Sequence, residues 1–282
     1  MALNRLKTIG IDIGGTNIDL GLVARGQLLE KKSFEVDNFK DRQELLDELI
    51  TNIGSFDLNN VQGIGLGVPG IIDPDKGFIY DLQNLPMWYE LPLAEILTKE
   101  FSLPVKLNND AGCYALGHVH YGQGRLYKNF LALTLGTGLG MGIIINGKLY
   151  SGLMAGAGEI GMMPYKDGII EDYAASAFFA RHYGQSAKAL YDQAQQNMVM
   201  AVEAFNHYGI HLGNAVKMVM SMYAPEAIII GGSIAKAYPF FWQSMKETIN
   251  NFEYTQQLDH TVIVAAQHEH MGIMGAAALI AP

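Results

Sequence analysis

The sequence predicts an α/β protein of two halves with related topology, facing each other across a cleft. Three observations carry that expectation. A glycine turn, Gly14-Gly15-Thr16-Asn17, sits between two apolar strand-like runs; a second, Gly136-Thr137-Gly138-Leu139-Gly140, does the same about half a chain later; and each is followed by strands alternating with helical patterns. Sequence identity between the two halves is too weak to establish a duplication.

In the first half, Thr8 to Ile13 and Ile18 to Val23 are β-rich runs on either side of the glycine turn, and Gln27 to Val36 alternates well enough for a third strand. Asp41 to Ile53 places Leu45, Leu46, Leu49 and Ile50 at helical spacing. Gly63 to Val68 is a further strand, which Pro69-Gly70 forces out of the sheet. Gly77 to Leu91 reads as irregular, Pro92 to Phe101 as a helix and Val105 to Leu107 as a strand. Asn109-Asp110 then opens a helix through Ala111 to Gly122, giving the order βββαβαβα.

In the second half, Phe130 to Leu135 and Met141 to Ile145 flank the glycine turn, with a short strand around Lys148 to Tyr150. Helices fall within Asp172 to Tyr223, and the Met-rich stretch Met198 to Met222 reads as a pair of core helices rather than a cofactor box. Strands at Ala227 to Ile230 and Thr261 to Ala265 and a helix from Met271 close the chain. No low-complexity linker appears. The boundary falls near Gly122 to Lys128, giving halves of 1–122 and 123–267, with a final helix at about 268–282 packing back on the first.

With 282 residues and 49% apolar content, the chain is large enough for substantial cores and is not disordered. Its formal charge of −9 argues against nucleic acid as a partner, because phosphate backbones are held by clustered Lys and Arg. Cys113 is the single cysteine, so no internal disulfide and no cysteine-built zinc site can form. There is no signal-like N-terminus and no uncharged apolar run long enough to span a membrane. A soluble, cytoplasmic protein is the expectation.

The chemistry concentrates at strand ends. Asp12 ends the first strand beside Gly14, Gly15, Thr16 and Asn17; glycines let backbone N–H groups approach phosphate oxygens, and a nearby carboxylate can hold hydrated Mg²⁺. The same residues equally suit a plain hairpin. Gly136, Thr137 and Gly138 offer a hydroxyl and unhindered N–H groups with no acid to repel a polyphosphate, although strands flank this turn on both sides, unlike a GxxxxGK[ST] or dinucleotide loop. Gly231-Gly232 follows a strand and could admit an adenosine against the backbone. Asp110, at the head of a helix, suits the base that a phosphoryl acceptor hydroxyl requires, or half of an Asn-Asp helix cap. Glu159, amid small residues, does not fit a solvated helix face; it suits a sugar-hydroxyl acceptor or a buried structural acid. Glu171 suits a sugar ligand or a cap. Of the paired histidines, His118/His120 and His268/His270 are spaced i,i+2, which does not place two rings on one helix face, and the i,i+4 pair His207/His211 has no carboxylate third ligand nearby in sequence.

Taken together, in order and spacing, these motifs resemble the ROK sugar kinases, whose fold is the two-domain, actin-like (ribonuclease H-like) ATPase fold. The resemblance runs almost end to end. IDIGGTN and TLGTGLGMGIIINGKLYSG resemble the family's phosphate motifs, GVPGIID and QNLPMW its sugar-side loops, LNNDAGCYALG its catalytic segment, AGEIG its sugar-binding glutamate and IIIGGSIA its adenosine motif.

The resemblance implies ATP-dependent phosphorylation of a sugar hydroxyl, the 6-OH of a hexose, amino sugar or β-glucoside, with Asp110 as general base. It implies Asn109, Glu159 and Glu171 as sugar ligands, Gly70, Gln83 and Gly138 lining the same pocket, and Asp12 organising Mg²⁺ through water. It also implies a homodimer. Many family members follow the glutamate with Gly-His and a cysteine-rich zinc loop. Here the residues are Gly161-Met162, and Met163 to Ile170 contains no cysteine, so no zinc is expected and the chain resembles the zinc-less branch that includes β-glucoside kinases. The phosphate motif begins at Asp12, leaving no room ahead of it for the DNA-binding domain of the family's repressors. The competing expectation is a sugar or nucleotide sensor of the same fold that has lost turnover.

Overall fold

The structure, a computed structural model, describes residues 6–82 and 85–280. The first sheet has five strands in the order β3-β2-β1-β4-β7. Strands β1 (Lys7–Ile13), β2 (Asn17–Ala24) and β3 (Gln27–Glu35) form an antiparallel meander, while β4 (Val61–Val68) and β7 (Val105–Asn109) run parallel to β1. The central position of β1 explains its sequence: Ile9, Ile11 and Ile13 are fully buried. Helix α1 (Arg42–Gly54) follows β3, capped by Asp41, whose carboxylate accepts from the N–H groups of Gln43 and Glu44. Its Leu45, Leu46, Leu49 and Ile53 join the core of this sheet, each contributing about 1.5–3 kcal/mol by burial.

After β4 the chain forms a hairpin, β5 (Ile71–Asp73) with β6 (Phe78–Asp81), then α2 (Leu93–Phe101), β7 and α3 (Asp110–His120). The span Gly77 to Leu91 is therefore not wholly irregular. Strand β6 is only four residues long and gains its register from β5, a pairing that local periodicity does not display.

The second sheet has the order β10-β9-β8-β13-β14, formed by β8 (Phe130–Leu135), β9 (Leu139–Ile145), β10 (Lys148–Leu149), β13 (Ala227–Gly231) and β14 (Val262–Ala265). Strands β8, β13 and β14 are parallel. All of β13 is buried, so its sequence is a continuous apolar run rather than an alternating one. Between the strands lie the small hairpin β11 (Pro164–Tyr165) and β12 (Gly168–Ile169), helices α4 (Glu171–Ala174), α5 (Ser176–Tyr183), α6 (Ala187–Ala194) and α7 (Val199–Tyr223), then α8 (Tyr238–Ile249) and α9 (Thr255–His260).

The Met-rich stretch is one helix of 25 residues, not a pair. Gly209 and Gly213, poor residues for a helix interior, lie where α7 meets α8: a Cβ at Gly209 would come within 2.4 Å of the Phe241 carbonyl oxygen. Close helix packing accounts for glycines that propensity counts against. Helix α10 (Met271–Ala278), buried at every residue, packs against α3 and β1.

The chain divides into two compact units. One comprises Met1–Leu126, Gly142–Ala157 and His268–Pro282; the other comprises Tyr127–Met141 and Gly158–Gln267. A single cut near residue 122 would assign Gly142–Ala157 to the second half, whereas its contacts cluster with the first. Among the described residues, no helix is long and apolar enough to cross a membrane.

Candidate active site

In the first unit, the parallel register aligns three strand ends. Asp12 of β1 pairs with Gly67 of β4, Gly67 with Asn108 of β7, and Val68 with Asn109. The carboxyl ends of parallel strands are where open α/β sheets bind ligands. Asn109 is buried and caps α3, its Oδ1 accepting from the N–H of Gly112 at 3.1 Å. Asp110, the first residue of that helix, accepts from the Ala111 N–H at 2.8 Å. Thus capping falls to Asn109, which leaves most of the Asp110 carboxylate uncommitted to its own helix. Asn108, which sequence reading passed over, braces this corner: its Oδ1 accepts from Asn109 N–H at 2.8 Å, and its Nδ2 donates to the Ser151 hydroxyl at 3.0 Å.

Both carboxylates are perturbed. Asp12 is half-buried at its surface and closely ringed by protein. That desolvation, with the negative charges of Asp110 and Asp19, pushes its carboxyl up to about 7. Lys31 opposes the shift, but it is paired with Asp19 at 3.1 Å. Burial likewise raises Asp110, partly offset by its hydrogen bond from Ala111. Gly272, at the start of α10, is a second feature the sequence reading missed. A Cβ there would stand 2.0 Å from Oδ2 of Asp12, so only glycine lets the helix approach that carboxylate.

The Gly14–Asn17 turn is closed by the Gly14 N–H donating to the Asn17 carbonyl at 2.9 Å, and Thr16 and Asn17 are exposed. Gly70 follows β4 in a left-handed conformation, φ 90°. Gln83 lies outside the described residues.

In the second unit, the other glycine motifs converge. Thr134 pairs with Gly231, and Gly232 packs on the backbone of Leu135. The turn Gly136–Gly138 is held by Gly136 N–H donating to the Gly138 carbonyl at 3.0 Å, by Ser176 N–H donating to the Gly136 carbonyl at 3.0 Å, and by the Ser176 hydroxyl donating to the Thr137 carbonyl at 3.2 Å. Glu171 opens α4 but does not cap it: its Oε2 accepts from the Leu139 N–H at 2.9 Å, across Gly138. A Cβ at Gly138 would come within 2.5 Å of that oxygen, so the glycine is what admits the glutamate to the turn. Glu159 is exposed and follows Gly158, which removes the reading of a buried structural acid. Met162 is 46% exposed in a short 3-10 turn after it.

Beside Gly231-Gly232 is a cavity of about 280 Å³, lined by Tyr191, Phe205, Ile234 and Ala237 with Ser233, Lys188, Lys236 and the acid Asp192. Apolar walls with a few polar groups suit a flat heteroaromatic base carrying polar substituents. The lining comes from α6, α7 and the segment after β13, which are widely spaced in sequence, so no local motif announces it.

No group of three or more Asp, Glu, His or Cys side chains able to hold a metal is found among the described residues. A divalent cation held through water fits Asp12 nonetheless. Its carboxylate is desolvated and faces like charge, and a cation would supply the compensation that the single, already paired Lys31 does not.

Two α/β units, each with a glycine hairpin at strand ends, define the actin-like ATPase fold of the sugar-kinase class. The family model described as the ROK family matches residues 8–282, and the chain belongs to the ROK family. It is 30% identical to a glucokinase of Halalkalibacterium halodurans, over 96% of this chain and 94% of the relative. It is 28% identical to a β-glucoside kinase of Listeria monocytogenes, over 96% of each. The structure of a ROK family glucokinase from Streptomyces griseus in complex with glucose and AMPPNP superposes with a TM-score of 0.85 at 26% identity, over 97% of this chain and 98% of that one.

Proposed function

We propose that this protein is a sugar kinase that transfers the γ-phosphoryl group of ATP to a sugar hydroxyl, the 6-OH of a hexose, amino sugar or β-glucoside. The observation that carries the reading is the pair of desolvated carboxylates, Asp12 at the end of β1 and Asp110 at the head of α3 directly after β7, the two strands that flank β4 in one sheet. Asp110 accepts the hydroxyl proton as the oxygen–phosphorus bond forms; the bond between the γ-phosphorus and its bridging oxygen breaks, and ADP leaves. Burial raises the Asp110 carboxyl, which makes it a stronger base than an ordinary aspartate.

The remaining residues position the two substrates. Asn109, Glu159 and Glu171 hydrogen-bond to sugar hydroxyls, and Gly70 and Gly138 leave room for the sugar. Gly14, Gly15, Thr16 and Asn17, with Gly136 and Thr137, offer backbone and hydroxyl donors to the phosphates, and Gly231-Gly232 with the adjoining cavity takes the adenosine. Asp12 holds Mg²⁺ through water, and the ion supplies charge neutralisation on the phosphates when bound. The relatives named glucokinase and β-glucoside kinase support the substrate class.

The test is ADP release by the purified protein with Mg·ATP and a panel of hexoses, amino sugars and β-glucosides. Sugar-dependent release is expected from wild type, and Asp110→Asn should lower kcat by about 10²–10⁴-fold. Absence of any sugar-dependent release, or undiminished turnover in Asp110→Asn, would sink the reading.

A further inference from the structure

Glu171 stands on α4, a single helical turn of four residues without a side-chain cap of its own. One turn does not hold its shape in isolation, because nucleation costs more than so few hydrogen bonds return. The hairpin leading into it, β11–β12, has two residues per strand and is equally unable to stand alone. Their geometry therefore depends on ties to something larger.

Three ties bind the hairpin and α4 together. Ile170 N–H donates to the Met163 carbonyl at 2.9 Å, Ile169 N–H donates to the Asp172 carboxylate at 3.0 Å, and the Tyr173 hydroxyl donates to the Asp167 carboxylate. The assembly is anchored on α7, the 25-residue helix. Tyr208 donates to the Ala174 carbonyl at 2.8 Å at the far end of α4. At the hairpin end the anchor is Tyr165, whose hydroxyl accepts from Nδ2 of Asn214 at 3.0 Å and lies 3.2 Å from Nδ1 of His211.

The hydrogen-bond directions agree with one another. With Asn214 donating to it, the Tyr165 hydroxyl has its proton free for Nδ1 of His211, which requires a neutral imidazole with its proton on Nε2. Burial, with Lys166, His182 and His207 nearby, keeps His211 neutral by pushing it down to about 4. The rings stack edge on as well: Tyr165 lies 5.4 Å from Tyr173 and 5.8 Å from His211, centroid to centroid.

We propose that Tyr165 is a positioning residue for sugar binding: through Asn214 and His211 it fastens the 163–171 segment to α7 and so aims the Glu171 carboxylate. The proposal rests on the kinase reading above. Among the described residues Glu171 is held by one backbone N–H, that of Leu139, so the direction of its second oxygen follows the backbone of α4, which Tyr208 fixes at its far end and the hairpin at its near end. The consequence is a residue remote from the phosphoryl transfer that governs sugar affinity and not donor affinity.

The experiment compares wild type with Tyr165→Phe, which removes only the hydroxyl. Tyr183→Phe serves as control, since it breaks a bond to His207 on the same helix without touching the hairpin. Amide exchange of the free protein and steady-state kinetics with both substrates are measured. Tyr165→Phe should speed exchange across 163–171 and raise the sugar KM about three- to tenfold, within the scale of the two hydrogen bonds the hydroxyl makes, with ATP KM and kcat within about twofold. The control should change neither. Unchanged exchange across 163–171, an unchanged sugar KM, or a parallel loss in kcat and both KM values overturns the proposal. A wild type that turns over no sugar overturns the kinase reading instead, and the exchange comparison on the free protein still decides whether Tyr165 holds the segment.

Discussion

Asp12 concentrates the cost of the site in one side chain. Its folded-state carboxyl titrates near 7, above the ordinary aspartate value near 4 that the unfolded chain retains. A raised carboxyl favours the folded state at low pH, and that contribution is lost progressively as pH climbs from about 4 toward 7, because the unfolded chain releases its proton first. Replacing it by Asn removes the charge while keeping the shape. In urea unfolding without ligand, Asp12→Asn should be more stable than wild type at pH 8 by about 1–3 kcal/mol, with a smaller gain at pH 5. A variant less stable than wild type at pH 8 would show that the carboxylate is not under this strain. The Gly272 approach enforces the same strain, since the backbone of α10 occupies space that water would otherwise take beside Asp12.

At the scale of elements, α3 is the part most exposed to a single change. It carries Asp110 at one end and His118 toward the other, and it lies against α10 at very short range: a Cβ at Gly275 would stand 1.7 Å from the Cys113 carbonyl oxygen. His118 is fully buried, with neither ring nitrogen hydrogen-bonded, its ring edge on to Tyr114 at 4.9 Å and its surroundings including Gly122 and His268. Burial first, then His268, pushes it down to about 4. A depressed histidine stabilises the fold above its unfolded value near 6.5, and that contribution is lost as pH falls toward 4, where the unfolded chain takes up the proton that the folded one refuses. His118→Leu should therefore weaken acid destabilisation: the drop in unfolding free energy from pH 7 to pH 5 should be smaller than in wild type by about 1–2 kcal/mol. Equal drops in the two proteins would place the acid sensitivity elsewhere.

For the whole molecule, the donors proposed for the phosphates are backbone groups of the two glycine turns and the hydroxyls of Thr16 and Thr137, in a chain of net charge −9. Binding energy so distributed should appear as global stabilisation. A non-hydrolysable ATP analogue with Mg²⁺, at about 100 times its Kd, should raise unfolding free energy by about 2.7 kcal/mol; an unchanged transition at saturation would remove the nucleotide reading.

The sequence by itself determined the strands of the two main sheets, the two glycine hairpins and the family, because buried strands are continuous apolar runs and glycine turns are local events; it did not show the β5–β6 and β11–β12 hairpins or helices α8 and α9. It placed Asp12, Asn109 and Asp110 at the ends of strands, and β1, β4 and β7 end there. Whether Glu171 capped its helix or reached elsewhere, whether Glu159 was buried, and whether Met198 to Met222 was one helix or two were decided by tertiary contacts: the Leu139 N–H, exposure to solvent, and the close packing of α8. Gly272 beside Asp12 and the tie of Tyr165 in β11 to α7 were invisible for the same physical reason. Each is a contact between residues dozens to hundreds of positions apart, and only the folded chain brings such atoms within van der Waals or hydrogen-bond reach.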